Sequence, residues 1–273
     1  MSSESQLVPA CPEQQIMATT QGNLSFRTSG EGETIVFLHG ILGSSKAWAF
    51  QFAAFSPSHR VIAWDAPGYA SSALVPADIS AYEQMLHELI QTSTTGKVIL
   101  VGHSMGGTIA SRYAARHPDK VKTLVLSCTH PGYGAPESAP SSEKLEKRLK
   151  ELAEIGREAY GKNRARDLLP FANVPTAVLD YAAEIAAETN LEGLRRATRM
   201  LQLADNRALL PQLKMPTLIL TGEEDRVVQP QLKAELLALV PYSRHVEMPG
   251  LGHAPYFQAP DYYNRLLREF IAQ

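Results

Sequence analysis

Val98-Ile99-Leu100-Val101-Gly102-His103-Ser104-Met105-Gly106-Gly107 runs an apolar, β-branched segment into Gly-x-Ser-x-Gly, and an amphipathic stretch at 108–117 comes next. The hydrophobic period changes from that of a buried strand to that of a helix at one serine, Ser104. A serine hydroxyl is a poor nucleophile at its own pKa, so it needs a base within hydrogen-bond reach and a fixed, exposed position. A sharp strand-to-helix turn supplies the position by holding the residue in a strained backbone. Side chains at 102 and 106 would strike the neighbouring strand and helix, which is the reason for Gly102 and Gly106; Gly107 lets the helix pack closely.

Outward from this turn, short apolar runs at 34–38, 60–64, 98–101, 121–127, 217–220 and 245–248 read as buried strands. Helix-period segments at 81–91, 108–117, 231–239 and 261–272 alternate with them, which predicts an α/β fold: a parallel sheet with helices on both faces. Segments 15–20 and 23–28 add an antiparallel hairpin at the edge, with Gln21-Gly22 at its turn. The rhythm breaks at 141–206, which is helical, charged and without a strand pattern. Ser141-Ser142-Glu143 opens a capped amphipathic helix there, after a Gly/Pro-rich lead at 131–140, and Pro170, Pro175 and Gly193 punctuate the later helices. The expected organisation is a core of residues 1–130 and 207–273, with a helical cap, 131–206, inserted between two strands.

With 273 residues, of which 44% are hydrophobic, the chain can bury a large α/β core. A formal net charge of -2, with no Lys/Arg block, argues against nucleic acid or an anionic membrane as partner. A small-molecule substrate is the expected partner, and a homodimer is compatible with the composition. Cys11 and Cys128 lie in unrelated contexts, so a disulfide framework is not expected. The first fifteen residues lack a basic and an apolar signal region, and no apolar run reaches membrane-spanning length; a cytoplasmic protein is the expectation. No His/Cys/Asp/Glu grouping has metal-ligand spacing, so neither a metal nor a cofactor is expected.

A serine nucleophile requires an acid and then a histidine later in the chain, each just after a strand. Thr217-Leu218-Ile219-Leu220-Thr221-Gly222-Glu223-Glu224-Asp225 sets Asp225 beyond a strand end. Met248-Pro249-Gly250-Leu251-Gly252-His253 sets a histidine on a Gly-rich loop after the last strand. His253 would take the proton from Ser104, and Asp225 would fix the imidazole tautomer and stabilise its cation. Glu223 and Glu224 are the alternative acids, with solvated loop charge as their ordinary role. Acyl transfer also needs donors aimed at the developing oxyanion. The Met105 N–H, directly after the serine, is one; Leu38-His39-Gly40-Ile41-Leu42-Gly43-Ser44 offers the Ile41 N–H as the other.

These residues together resemble the α/β-hydrolase superfamily, in particular its cap-bearing small-molecule esterases, enol-lactonases and carbon-carbon bond hydrolases. The resemblance covers nearly the whole chain. It is carried by His39-Gly40 with Gly43-Ser44, by Asp65-Ala66-Pro67-Gly68-Tyr69-Ala70-Ser71-Ser72, by the Ser104 turn, by Gly222 with Asp225 and Pro230, and by Gly250-Leu251-Gly252-His253-Ala254-Pro255. It implies a mostly parallel eight-stranded sheet and a Ser-His-Asp hydrolase working through an acyl-enzyme. Ala70 departs from a glycine often found at its place.

Other departures narrow the chemistry. Serine at 104, where haloalkane- and epoxide-opening relatives carry aspartate, disfavours both of those reactions. Carbon-carbon hydrolases of ring-cleavage products typically show asparagine before the nucleophile and a Gly-Pro-Gly oxyanion loop; this chain has His103 and Ile41-Leu42-Gly43. An ester, lactone, enol-lactone or activated amide is therefore the expected substrate. Carbon-carbon cleavage in aromatic catabolism, a low-turnover ligand-binding protein and an acyltransferase are the alternatives. His39, Tyr69, His130 and Tyr133 are the candidate pocket residues. Cap arginines Arg164, Arg195, Arg196 and Arg199 could hold a substrate carboxylate, although such residues more often form solvated helix faces.

Overall fold

The computed structural model describes residues 8–169 and 174–273. Pro170, expected to punctuate the cap helices, and the stretch before Val8 lie outside them. The strands are β1 (Gln14–Thr19), β2 (Gly22–Ser29), β3 (Thr34–Leu38), β4 (Arg60–Trp64), β5 (Val98–His103), β6 (Val121–Ser127), β7 (Thr217–Gly222) and β8 (Arg244–Met248). The helices are α1 (Ala49–Phe55), α2 (Ile79–Ser93), α3 (Met105–Arg116), α4 (Glu143–Leu168), α5 (Thr176–Ala187), α6 (Leu191–Leu203), α7 (Pro230–Leu239), α8 (Pro255–Gln258) and α9 (Pro260–Ile271). One eight-stranded sheet runs in the order β1-β2-β4-β3-β5-β6-β7-β8. Only the β1–β2 and β2–β4 pairings are antiparallel; the other five are parallel.

The strands alternate by the two-residue pleat, but both faces are apolar because helices cover both. Val36, Leu38, Ile62, Trp64, Val98 and Leu100 pack with residues of α2 and α3. Ile35, Phe37, Val61, Ala63, Ile99 and Val101 pack with α1, α8 and α9 on the other side. The continuous apolar runs visible in the sequence are thus two half-cores read alternately.

The edge hairpin differs from expectation by one position. Thr19 pairs with Gly22, so Thr20 and Gln21 form the turn and Gly22 opens β2 at φ 113°. Only a glycine fits, since a Cβ there would meet Ala73 Cβ at 2.7 Å in a backbone region L side chains rarely adopt. Helices α1 and α8 had no clear period in the sequence: α1 spans seven residues and α8 four, and both bury most of their side chains.

Between β6 and β7 lie α4, α5 and α6, with no strand among the described residues. Ser142 caps α4 by accepting from Leu145 N, and Asn190 caps α6 by accepting from the N–H groups of Glu192 and Gly193. Gly156 interrupts α4 at φ 76°. Gly193, expected to punctuate the helices, lies inside α6 instead. A Cβ on it would come 2.1 Å from Gly68 O, so it permits backbone-to-backbone contact with the 65–72 loop. All three helices meet the loop after β3: Leu149, Leu152 and Tyr160 of α4, Ala186 of α5 and Leu194 of α6 cluster with Ile41 and Leu42. No helix among the described residues is long and apolar enough to cross a membrane.

Candidate active site

Ser104 stands between β5 and α3 at φ 51° and ψ -117°, a strained conformation for a residue with a side chain. Its surroundings hold it there. Ser104 N donates to Ser127 O at 2.9 Å, and Ser104 O accepts from Gly107 N at 2.9 Å and from Thr129 Oγ1 at 2.6 Å. The space around the turn is closed by backbone: a Cβ on Gly102 would lie 2.4 Å from Gly106 O, and one on Gly106 would lie 2.2 Å from Leu38 O.

The loop after β3 lies against the same turn, since a Cβ on Gly40 would come 3.0 Å from Ser104 Cβ. Gly43 N donates to Gly40 O at 3.0 Å, and Leu42 adopts φ 66° within that turn. Neither the Ile41 N–H nor the Met105 N–H has a protein acceptor among the described residues; Met105 is the first residue of α3, where the N–H lacks an intrahelical partner. The loop is fastened from behind by His39 and Asp65, both fully buried. His39 Nδ1 donates to Gly40 O at 2.7 Å, and its Nε2 accepts from Ala66 N at 3.0 Å. Asp65 accepts from Ser45 N at 2.7 Å, from Ser25 Oγ at 2.8 Å and from Gln14 Nε2 at 3.0 Å. Burial holds His39 below its ordinary pKa, in the neutral form. The sequence suggested His39 as a pocket residue; its position is behind the loop, with both ring nitrogens engaged.

His253 and Asp225 meet although 28 positions separate them. His253 Nδ1 donates to the carboxylate, 2.9 Å from Oδ2 and 3.0 Å from Oδ1. Asp225 Oδ1 also accepts from Val227 N at 2.8 Å and Val228 N at 3.2 Å. Burial pushes the Asp225 carboxyl up, but the His253 hydrogen bond and charge and the two amides outweigh it and hold the group below its usual value. The alternative acids face elsewhere. Glu223 Oε2 accepts from Gly250 N at 2.8 Å, and Glu224 pairs with Arg226 at 3.8 Å.

His103, a residue the sequence marked only as a departure, ties the histidine loop to the serine turn. Its Nε2 donates to His253 O at 2.8 Å. Its ring lies 4.8 Å from those of His253 and Tyr256, and Tyr256 continues at 4.7 Å to Trp48, which lies 4.7 Å from Phe37. Aromatic pairs of this kind contribute on the order of 0.5–1.5 kcal/mol beyond their buried area. Burial, then the charge of His253, pushes His103 down to about 3, so it remains neutral. Cys128 sits beside the pair: its Sγ, a His253 nitrogen and an Asp225 oxygen lie within 4.8 Å of one another. Burial raises that thiol, which keeps it protonated, and both cysteines are free.

Tyr69 packs edge-on to His39 at 4.9 Å, and His130 packs on Tyr133 at 4.6 Å. The four arginines singled out in the sequence between β6 and β7 are engaged with protein groups. Arg164 pairs with Glu151 and Asp167, Arg195 and Arg196 with Glu192, and Arg199 donates to the carbonyls of Glu137 and Pro140.

The family model for the alpha/beta hydrolase fold matches residues 33–260. The chain belongs to that family. It is 28% identical over 261 residues to the pimeloyl-[acyl-carrier protein] methyl ester esterase of Chromobacterium violaceum, covering 91% of this chain and 98% of that one. It is 28% identical over 244 residues to a putative carbamate hydrolase of Pseudomonas savastanoi pv. phaseolicola, covering 87% and 93%. Among solved structures, the enol-lactonase of Burkholderia xenovorans LB400 superposes with a TM-score of 0.83 at 23% identity, covering 95% of this chain and all of that one. This α/β hydrolase is therefore an enzyme of small-molecule hydrolysis, with the fold its sequence implied.

Proposed function

We propose that this α/β hydrolase cleaves a small-molecule carboxylic ester, lactone or enol-lactone through an acyl-enzyme on Ser104. The observation that carries the reading is the His253 imidazole, held at Nδ1 by both oxygens of Asp225 and tied through its carbonyl to the residue before Ser104. With Nδ1 donating, Nε2 is left as the basic nitrogen. It takes the Ser104 proton as Oγ attacks the carbonyl carbon, and the Ile41 and Met105 N–H groups stabilise the charge that develops on the carbonyl oxygen. The tetrahedral adduct collapses, His253 gives the proton to the departing alkoxide, and the acyl group remains on Ser104. Water then repeats the sequence, its proton going to His253, its oxygen to the acyl carbon, and the proton returning to Ser104.

Residues 131–206 act as a cap over this site, because α4, α5 and α6 close on Ile41 and Leu42. The similarity to a methyl ester esterase along nearly both full lengths favours an ester among the carbonyl substrates. The test is turnover of 4-nitrophenyl acetate and stoichiometric labelling by a fluorophosphonate. Ser104→Ala is expected to abolish labelling and to lower turnover about a millionfold, as for serine enzymes whose triad acts as a unit. Near-normal turnover by the purified variant would overturn the assignment.

A further inference from the structure

Arg148 of α4 differs from Arg164, Arg195, Arg196 and Arg199. It is half-buried, and among the described residues it has neither a carboxylate within ion-pair distance nor a hydrogen-bond acceptor, whereas Arg157 and Arg166 are exposed. Helix geometry places residues three and four apart on one face. Leu145, on that face, is fully buried, and Leu149 and Leu152 rest on the cluster that contains Leu42 and Tyr160. Arg148 is thus on the side of α4 that faces the loop beside Ser104, whereas the arginines already described are satisfied by protein acceptors.

Its electrostatic neighbours are Tyr69, Tyr133 and Tyr160. At Tyr69 and Tyr133 its positive charge acts without an opposing carboxylate among the described residues. Burial keeps all three phenols protonated, so they can donate to an anion but cannot neutralise the guanidinium. A half-buried cation without an anion has lost part of its hydration with no compensating charge. A planar guanidinium in the neighbourhood of neutral hydroxyl groups matches a carboxylate, which it can bind through two parallel hydrogen bonds.

We infer that Arg148 is the specificity-determining residue that receives a carboxylate on the acyl half of the substrate, so that the substrate is a mono-ester or lactone of a dicarboxylic acid. The inference rests on the hydrolytic reading above for the bond cleaved, but not for the binding of the acid group. The guanidinium holds the distal carboxylate under the cap while the carbonyl lies at Ser104, which fixes the acyl chain at both ends.

The test compares 4-nitrophenyl hydrogen glutarate and adipate with neutral 4-nitrophenyl esters of matched chain length, in the wild-type protein, Arg148→Met and Arg148→Lys. The ratio of kcat/KM for the acid ester to that for its neutral match is taken within each protein, so a general loss of activity cancels. The wild type is expected to favour the acid ester roughly 10- to 100-fold, the range of a charge-assisted hydrogen bond. Arg148→Met brings the ratio to about one, mainly through KM, and Arg148→Lys retains part of it. A ratio unchanged in Arg148→Met, or a wild type without preference, would overturn the proposal. Should the wild type hydrolyse neither ester, the hydrolytic reading fails, and calorimetric titration with glutarate decides Arg148 separately. Weaker binding to Arg148→Met by at least tenfold supports its role, and equal binding overturns it.

Discussion

Asp225→Asn separates two roles the carboxylate could have. The substitution changes almost no volume, and the direction of the new amide is set by the structure. Val227 N and Val228 N both donate to Oδ1, so the Asn carbonyl oxygen stays at that position and Nδ2 takes the Oδ2 position, 2.9 Å from His253 Nδ1. An N–H then faces an N–H at the shorter contact, while Oδ1, 3.0 Å from Nδ1, already accepts from both amides. The imidazole escapes the conflict by moving its proton to Nε2, leaving Nδ1 to accept, and the nitrogen needed to take the Ser104 proton is blocked. Were Asp225 only a hydrogen-bond partner, its loss would amount to about 1.5–3 kcal/mol, or roughly 10- to 150-fold in rate at 1.4 kcal/mol per decade. Tautomer control predicts about 10⁴-fold in kcat, as found for the equivalent change in serine proteases, which corresponds to about 5.5 kcal/mol. The measurement is kcat on a neutral aryl ester, with a thermal melt to confirm that the variant is folded. A folded Asp225→Asn that loses less than about 150-fold would refute the tautomer argument.

Gly106→Ala is expected to destabilise by about 3 kcal/mol or more, because its Cβ would meet three backbone atoms, Leu38 O at 2.2 Å, Leu38 C at 2.6 Å and His39 O at 2.8 Å, none of which can rotate away. In a chain of this size that lowers Tm by roughly 6–12 °C, whereas Gly96→Ala, with nothing within 4 Å of its Cβ, is the control; a Gly106→Ala melt within about 2 °C of wild type would contradict the packing. Stability is also expected to fall in mild acid. His39 and His103 are held below the ordinary histidine value when folded, so between that value and the folded pKa the unfolded chain binds more protons, and stability present at pH 7 is lost as pH falls. His103, pushed down to about 3, contributes a loss of about 2 kcal/mol between pH 7 and pH 5, and His39 adds to it in the same direction. Asp225, whose folded pKa is depressed, adds its own loss only as pH drops below the usual carboxylate range. Urea unfolding at pH 5, 6 and 7 measures the slope, and a flat profile would contradict buried neutral histidines.

What the sequence determined by itself is local. Side-chain period is a property of neighbouring residues, so the change from pleat to helix at Ser104 and the order of strands and helices could be read directly, as could the strandless segment between β6 and β7. The same locality explains the errors: short, mostly buried α1 and α8 have no period to read, and a one-residue shift at the hairpin turn comes from the φ of Gly22.

Tertiary structure decided whatever depends on where a side chain points across long separations. Among three adjacent acids, only the direction of the loop after β7 distinguishes Asp225, facing His253, from Glu223, turned to Gly250. His103 reaches His253 O across 150 positions, a bond no spacing rule announces. The arginines of α4 and α6 all read as helix-borne charges, and yet Arg164, Arg195, Arg196 and Arg199 are spent on protein acceptors while Arg148 has none among the described residues and lies near neutral phenols. Composition and period place a charge on a helix; only the packing of that helix against the loop beside Ser104 determines whether the charge is already balanced or remains for a substrate to balance.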